Sequence, residues 1–257
     1  MTVPIIGFLT GLLIGMTGTG GGSLLTPLLL IFTPYSVLVV IGTDLAAGVI
    51  TKLVGFFQHW RFGRIYWRLA GYVTIGSLPG SAAGILFIHI LRHHMDHATL
   101  DESLKAFIGL ALLAAALSLP YVRRKKRIAS EHPERPAVRI SHRGCLVAGA
   151  MVGFLVALTS VGSGSLMMVF LLLVTPAPIA GLVGTDIMLG FATTMLAASL
   201  HLWRGHFDQH LFVGLVIGSV PGVLIGSWFS RLIPDRYFRW ALSILYFSLG
   251  ARLLLRI

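Results

Sequence analysis

The chain has 257 residues, 56% of them hydrophobic and 11% charged, and carries a net charge of +11. Soluble domains hold roughly 25% charged residues, and a mean hydropathy of +0.87 leaves too few solvated side chains to cover a globule. A soluble enzyme, a disulfide-rich secreted scaffold and a disordered chain are excluded, which leaves an all-α polytopic membrane protein.

In chain order the apolar segments are 3–33, 36–58, 66–91, 103–122, 145–175, 178–200, 209–229 and 237–255. Most are near the ~20 residues a spanning helix requires. The first is interrupted by Gly18-Thr19-Gly20-Gly21-Gly22, which leaves two arms each too short to cross. The start, MTVPIIGFLTG, has neither a basic leader nor a small-residue cleavage pattern, so it reads as the first membrane segment. Cys145 is the single cysteine, which excludes an intramolecular disulfide.

The charge is concentrated. Residues 123–143 hold eight bases and two acids. These bases flank apolar spans, the distribution expected of cytoplasmic loops and not of a nucleic-acid surface. Loop 59–68, with Arg61, Arg64 and Arg68, and the linker 123–143 are therefore placed in the cytoplasm, and the balanced loop 92–102 outside.

Shifted by 142 residues, 7–84 aligns with 149–226 without a gap, with about one position in three identical and ten shared glycines. Gly42-Thr43-Asp44 returns as Gly184-Thr185-Asp186, Gly76-Ser77-Leu78-Pro79-Gly80 as Gly218-Ser219-Val220-Pro221-Gly222, and Gly22-Ser23-Leu24 as Gly164-Ser165-Leu166. The chain divides into a first transmembrane repeat (1–122), the basic linker (123–143) and a second repeat (144–257). Each repeat has a glycine-broken or re-entrant first segment followed by three spanning helices. If the broken segment folds back, each half crosses three times and the repeats are inverted; if it continues, each crosses four times and they are parallel. Loop 201–208 is poorer in bases than 230–239, which favours inversion, whereas Arg252 and Arg256 act against it.

Irregular backbone at membrane depth must be buried in protein or line a wet cavity. Its free N–H groups, with the helix starting near Ser23, form a concavity suited to an anion. Thr19, Gly20, Gly21, Gly22 and Ser23, and in the second copy Gly162, Ser163, Gly164 and Ser165, are candidate substrate ligands, with Thr43 and Thr185 beside them. The alternative is a helix break needed for packing alone. Asp44 and Asp186 are the two acids inside the apolar runs, and a carboxylate there is costly enough to imply a role in proton or cation coupling, or in pinning helices. Lys52 is read as snorkelling to the cytoplasmic interface, or else as drawing an anion inward. His59 and His201 stand beside Trp and Arg, as at a helix end among headgroups, or alternatively as a gate. His89, His93, His94 and His97 lack supporting acids and read as a solvated loop, so no metal site is expected. Glycines every four residues, at 7, 11 and 15, at 76, 80 and 84, and from 214 to 226, predict close helix packing.

These residues resemble the TauE/SafE (sulfite exporter-like) permease family. The resemblance rests on Gly11-x3-Gly15-x2-Gly18-x-Gly20-Gly21-Gly22-x4-Pro27, Gly42-Thr43, Gly63, Arg68-Leu69 and Leu78-Pro79-Gly80-x3-Gly84, and it returns in the second half. It implies an inner-membrane secondary transporter for sulfite, sulfonates such as sulfoacetate, or related sulfur-containing anions. Asp after Gly-Thr departs from the Ser or Asn usual there, and the second glycine loop is degenerate. The expected partners are thus a small anion, the lipid bilayer, a coupling proton or cation and, compatibly, a second copy in a homodimer; no cofactor, nucleic acid or enzymatic activity is expected. An anion channel and a non-transport membrane scaffold are the alternatives.

Overall fold

A computed structural model describes residues 2–17, 22–62, 65–131, 141–174, 179–229 and 235–255. All regular structure among them is helical: α1 (Thr2–Thr17), α2 (Gly22–Phe32), α3 (Val37–Phe62), α4 (Trp67–His94), α5 (His97–Glu131), α6 (His142–Thr159), α7 (Ser165–Val174), α8 (Ile179–Trp203), α9 (Gln209–Phe229) and α10 (Asp235–Leu255). At about 1.5 Å per residue, α2 and α7 are about 16 and 15 Å long, half of a ~30 Å hydrocarbon layer. Among the described residues, Trp67–His94, His142–Thr159, Thr185–Trp203 and Gln209–Gly226 are long and apolar enough to span. The chain is a multi-pass membrane protein. α5 outruns its apolar segment: the helix continues past Pro120 and through the Arg/Lys run to Glu131, because these basic residues are good helix formers.

Small residues decide which helices meet. Gly76, Gly80 and Gly84 on α4 face Leu146, Ala150 and Phe154 on α6. The matched ascending order makes the two helices parallel. A Cβ on Gly80 would stand 2.1 Å from the Ala150 carbonyl oxygen, so only glycine permits this approach. Gly218, Gly222 and Gly226 on α9 face Pro4, Phe8 and Leu12 on α1 in the same way. Each contact of one seam is a contact of the other displaced by 142 residues.

The remaining pairs run oppositely. On α3 and α8, Gly42 meets His201 while Lys52 meets Gly190 and Thr194, so these helices are antiparallel. On α5 and α10, Gly109 meets Leu254 while Gly250 meets Leu113, again antiparallel, and Ser243 Oγ donates to the Ala116 carbonyl at 2.8 Å. Leu24, Ile41, Leu104, Leu112, Val156 and Leu189 belong to one buried apolar core. Ile75, Leu86, Ile217 and Ile244 point away from it, as lipid-facing residues do.

Candidate functional site

The centre of the molecule is built around the break between α6 and α7. Thr159 Oγ1 donates to the Leu155 carbonyl at 2.7 Å and accepts from the Val161 N–H at 3.1 Å, which ends the helix from within. Ser160 follows with φ 58°, its N–H still bonded to the Val156 carbonyl at 2.8 Å, and Gly162 has φ +114°. Such backbone is stable at membrane depth only when enclosed, and residues 156–164 are all buried.

Ser160 Oγ donates at 3.0 Å to Asp44 Oδ2 on α3, and Thr26 of α2 donates to the same oxygen. Asp44 is fully buried, and its Oδ1 has no partner among the described residues. Two turns further along α3, Lys52 donates to Ser163 Oγ of the break and to Thr194 Oγ1 of α8. Asp186 on α8 is also buried, again with Oδ1 unpartnered among the described residues. Both carboxylates act electrostatically on the ammonium, which is seated on hydroxyls and not on either acid. With all three ionised the cluster carries one net negative charge, so one proton or one monovalent cation brings it to neutrality. Burying charge without that balance is costly.

The two Gly-Thr-Asp motifs do three jobs. Gly42 abuts the His206 carbonyl, which a Cβ would meet at 1.9 Å. Thr43 Oγ1 accepts the Asp208 N–H at 3.0 Å, and Thr185 Oγ1 accepts the Tyr66 N–H at 2.9 Å. Tyr66 and Asp208 immediately precede the helices α4 and α9 and occupy equivalent repeat positions. The threonine hydroxyls therefore clamp α3 and α8, the first spanning helix of each repeat, to the loop of the other repeat, and the following aspartates turn into the centre.

Of the sequence-derived candidates, Asp44 and Ser163 meet in this cluster, with Asp186 within its field. Gly162 supplies the turn, and Gly164 accepts the Met168 N–H at 3.0 Å in the first turn of α7. Thr43 and Thr185 bond backbone. Thr19, Gly20 and Gly21 lie outside the described residues; Gly22, Ser23 and Ser165 lie at the starts of α2 and α7, and only their helical backbone is described. Lys52 does not snorkel: it is 6% exposed and held at the crossing of α3 and α8. The apolar run hid this because the residues that seat it, Ser163 and Thr194, are 111 and 142 positions away. His201 likewise does not sit among headgroups. It is buried, with Nε2 2.8 Å from the Ala157 carbonyl and Nδ1 3.1 Å from His206 Nδ1. His59 lies where only backbone is described. Thr26, Ser160 and Thr194 are additional members of the site. The sequence signal for Ser160 was its place in the break, while Thr26 and Thr194 carried none beyond being polar in apolar runs.

At the end of the bundle where α4 and α8 finish, a cavity of about 320 Å³ is lined by Ile85, Ile88, His89, Arg92, His93, Arg204 and His206. His89 and His93 thus lie on helix α4 and not in a loop. Burial, and after it the charges of Arg92 and Arg204, hold the His206 imidazole below the usual histidine range. Among the described residues no group of His, Cys, Asp and Glu is arranged to hold a metal.

Residues 3–253 match the family described as "Sulfite exporter TauE/SafE". The "Probable membrane transporter protein YjnA" of Bacillus subtilis is 33% identical over 99% of both chains. The "Probable membrane transporter protein YdhB" of the same organism is 22% identical over 91% of both. A "Probable membrane transporter protein" of Xylella fastidiosa is 26% identical over 87% of this chain and 84% of its own. No solved structure matches. With a helical multi-pass architecture, a buried charged cluster at its centre and a family match over nearly its whole length, the chain belongs to the TauE/SafE family of membrane transporters.

Proposed function

We propose that this protein is a secondary transporter of small sulfur-containing anions, sulfite or a sulfonate, which bind at the centre beside Lys52. The observation that carries this is the seating of a buried ammonium on Ser163 of the broken segment and Thr194 of α8. A cation there, beside the N-terminal N–H groups of α7, suits an anionic oxygen. The sulfur chemistry is taken from the family's description.

The working arrangement is a pair of inverted repeats, each with a re-entrant hairpin and three crossings. The helix directions support it. α4 and α8 run the same way, since Tyr66 meets Thr185 at their starts and His89 meets Arg204 at their ends, α4 parallels α6, and α3 opposes α8. α6 and α8 then start from the same side, so the 10-residue α7 between them has to return and cannot continue across. The repeat-equivalent helices α3 and α8 are themselves antiparallel, which is the mark of inversion. Asp44 and Asp186 compensate the ammonium and take up the coupling proton or cation. The clamps Thr43–Asp208 and Thr185–Tyr66 join the repeats at the two ends of this pathway, and opening one while the other holds would expose the centre to one side at a time.

Counterflow in proteoliposomes tests the reading. Unlabelled internal sulfite should accelerate uptake of ³⁵S-sulfite, and sulfoacetate should compete. Flux without counterflow acceleration would indicate a channel, and no flux of any sulfur anion would leave a scaffold. Asp44→Asn should retain counterflow while losing the pH dependence of net flux; unchanged pH dependence would remove Asp44 from coupling.

A further inference from the structure

We propose that the cavity at the ends of α4 and α8 is a second anion site, an exofacial receptor for a tetrahedral oxyanion. His89, Arg92 and His93 come from the last turns of α4, and Arg204 and His206 from the segment joining α8 to α9. No acidic side chain is among the described lining residues. The nearest acid in sequence, Asp208, is committed elsewhere: its Oδ1 accepts the Leu211 N–H at 2.7 Å.

The position of this charge is what calls for a ligand. α6 runs parallel to α4 and begins at the basic linker, so the linker lies at the end of the bundle where α4 starts. The cavity is at the opposite, exofacial end. Membrane proteins place Lys and Arg on the cytoplasmic side, and the linker obeys that rule; two arginines and three histidines converging on the other side do not. The groups also crowd one another. Arg204 Nη1 donates to His89 Nδ1 at 3.4 Å, and the charges of both Arg92 and Arg204 bear on His206. Like charges gathered without a counter-charge are relieved by an anion, and two guanidinium groups offer the forked donors that oxyanions take.

The site also communicates inward. His206 is bonded to His201, whose other ring nitrogen meets the Ala157 carbonyl one turn before the break. An occupant of the cavity therefore touches a buried polar chain that ends beside the centre. The groups facing His206 are Arg92, His89 and His93 of α4, His201 of α8, and Arg204 and Asp208 in its own segment. An oxyanion is held more tightly when the His206 imidazole is protonated, so its affinity falls as pH rises. The phosphate of an outer-leaflet lipid has the same chemistry as a free oxyanion.

The proposal is independent of which anion is transported. The test is sulfate titration of the purified full-length protein in detergent at pH 6.0 and 8.0, by calorimetry. The wild type should bind more weakly at pH 8.0. Arg92→Gln/Arg204→Gln should weaken binding at least tenfold at pH 6.0, Arg204→Lys, which keeps the charge and loses the fork, should weaken it less than Arg204→Gln does, and Arg68→Gln/Arg143→Gln, an equal loss of charge at the other end, should change it less than twofold. His206→Gln should flatten the pH dependence, and reads the same site should the arginine pair fail to fold. A parallel titration with short-chain phosphatidylglycerol separates the sources. Weakening of lipid binding alone by the arginine pair assigns the site to a headgroup, and weakening of sulfate binding assigns it to a free oxyanion. Binding of both probes untouched by these variants, or weakened equally by the distant pair, would overturn the site while leaving the central transport reading intact.

Discussion

Asp44 and Asp186 are repeat equivalents with unequal surroundings. Asp44 is met by Thr26 from its own repeat and Ser160 from the other. The repeat equivalents of Thr26 and Ser160 in sequence are Met168 and Gly18, neither of which has a hydroxyl. Both copies hold the acid and only one holds these two hydroxyl donors, so the two carboxylates are not interchangeable. Asp44→Asn preserves an oxygen for both hydroxyls and should change stability by less than about 1 kcal/mol. Lys52→Met leaves two buried acids without their cation and should cost about 3–5 kcal/mol. In a thermal melt that is a fall of about 6–20 °C, taking 2–4 °C per kcal/mol. Equal melting temperatures for the two variants would mean that Lys52 does not compensate the acids. His206 permits a pH prediction of definite sign. Its folded value lies below that of a free histidine, so below about pH 6.5 the unfolded chain binds the proton the folded chain refuses. That contribution to stability is complete above this pH and declines as pH falls through it. His206→Gln should flatten the melting temperature between pH 5 and 7 relative to wild type.

At the scale of elements, the glycine seams carry the helix pairing. Gly80→Val would press two methyl groups and a Cβ into the Ala150 carbonyl, where the Cβ alone reaches 2.1 Å. Overpacking costs about 1–3 kcal/mol, and the atoms met at Gly80 are Ala150 backbone, which a side-chain rotation cannot move aside. Gly71→Ala, whose Cβ meets nothing within 4 Å, is the matched control and should be neutral. Both melts are readable in detergent. The threonine clamps act differently. Thr43→Val and Thr185→Val keep shape and remove the acceptor of a buried N–H, costing about 1–3 kcal/mol each. Under alternating access they should also shift the conformational balance in opposite directions, measurable as opposite changes in labelling of the two ends of the bundle.

For the whole molecule, the proposed inversion makes a clean geometric prediction. In a Cys145→Ala background, Asp96→Cys and His210→Cys should react with a membrane-impermeant maleimide added to intact cells. Trp67→Cys and Ser141→Cys should react only after the membrane is opened. Reaction of His210→Cys from the same side as Ser141→Cys would make the repeats parallel. Much of this is legible in the chain: the 142-residue duplication and the seams at four-residue spacing follow from repetition and periodicity, and the quoted glycine and proline motifs carry the family resemblance. Lys52 and His201 were misplaced, because a charged or polar residue near the end of an apolar run looks the same whether lipid headgroups or another helix receive it.

Length, hydropathy and repetition determine by themselves that this chain enters a membrane, folds as helices and is interrupted at two equivalent points, since these are properties of segments taken one at a time. Pairing is not such a property. That Lys52 reaches Ser163 and Thr194, that Asp44 meets Ser160, and that five bases from two distant segments surround one cavity depend on which helices touch and in which direction they run. Those choices are made by close backbone contact at glycines, a long-range steric fit that only the tertiary structure decides.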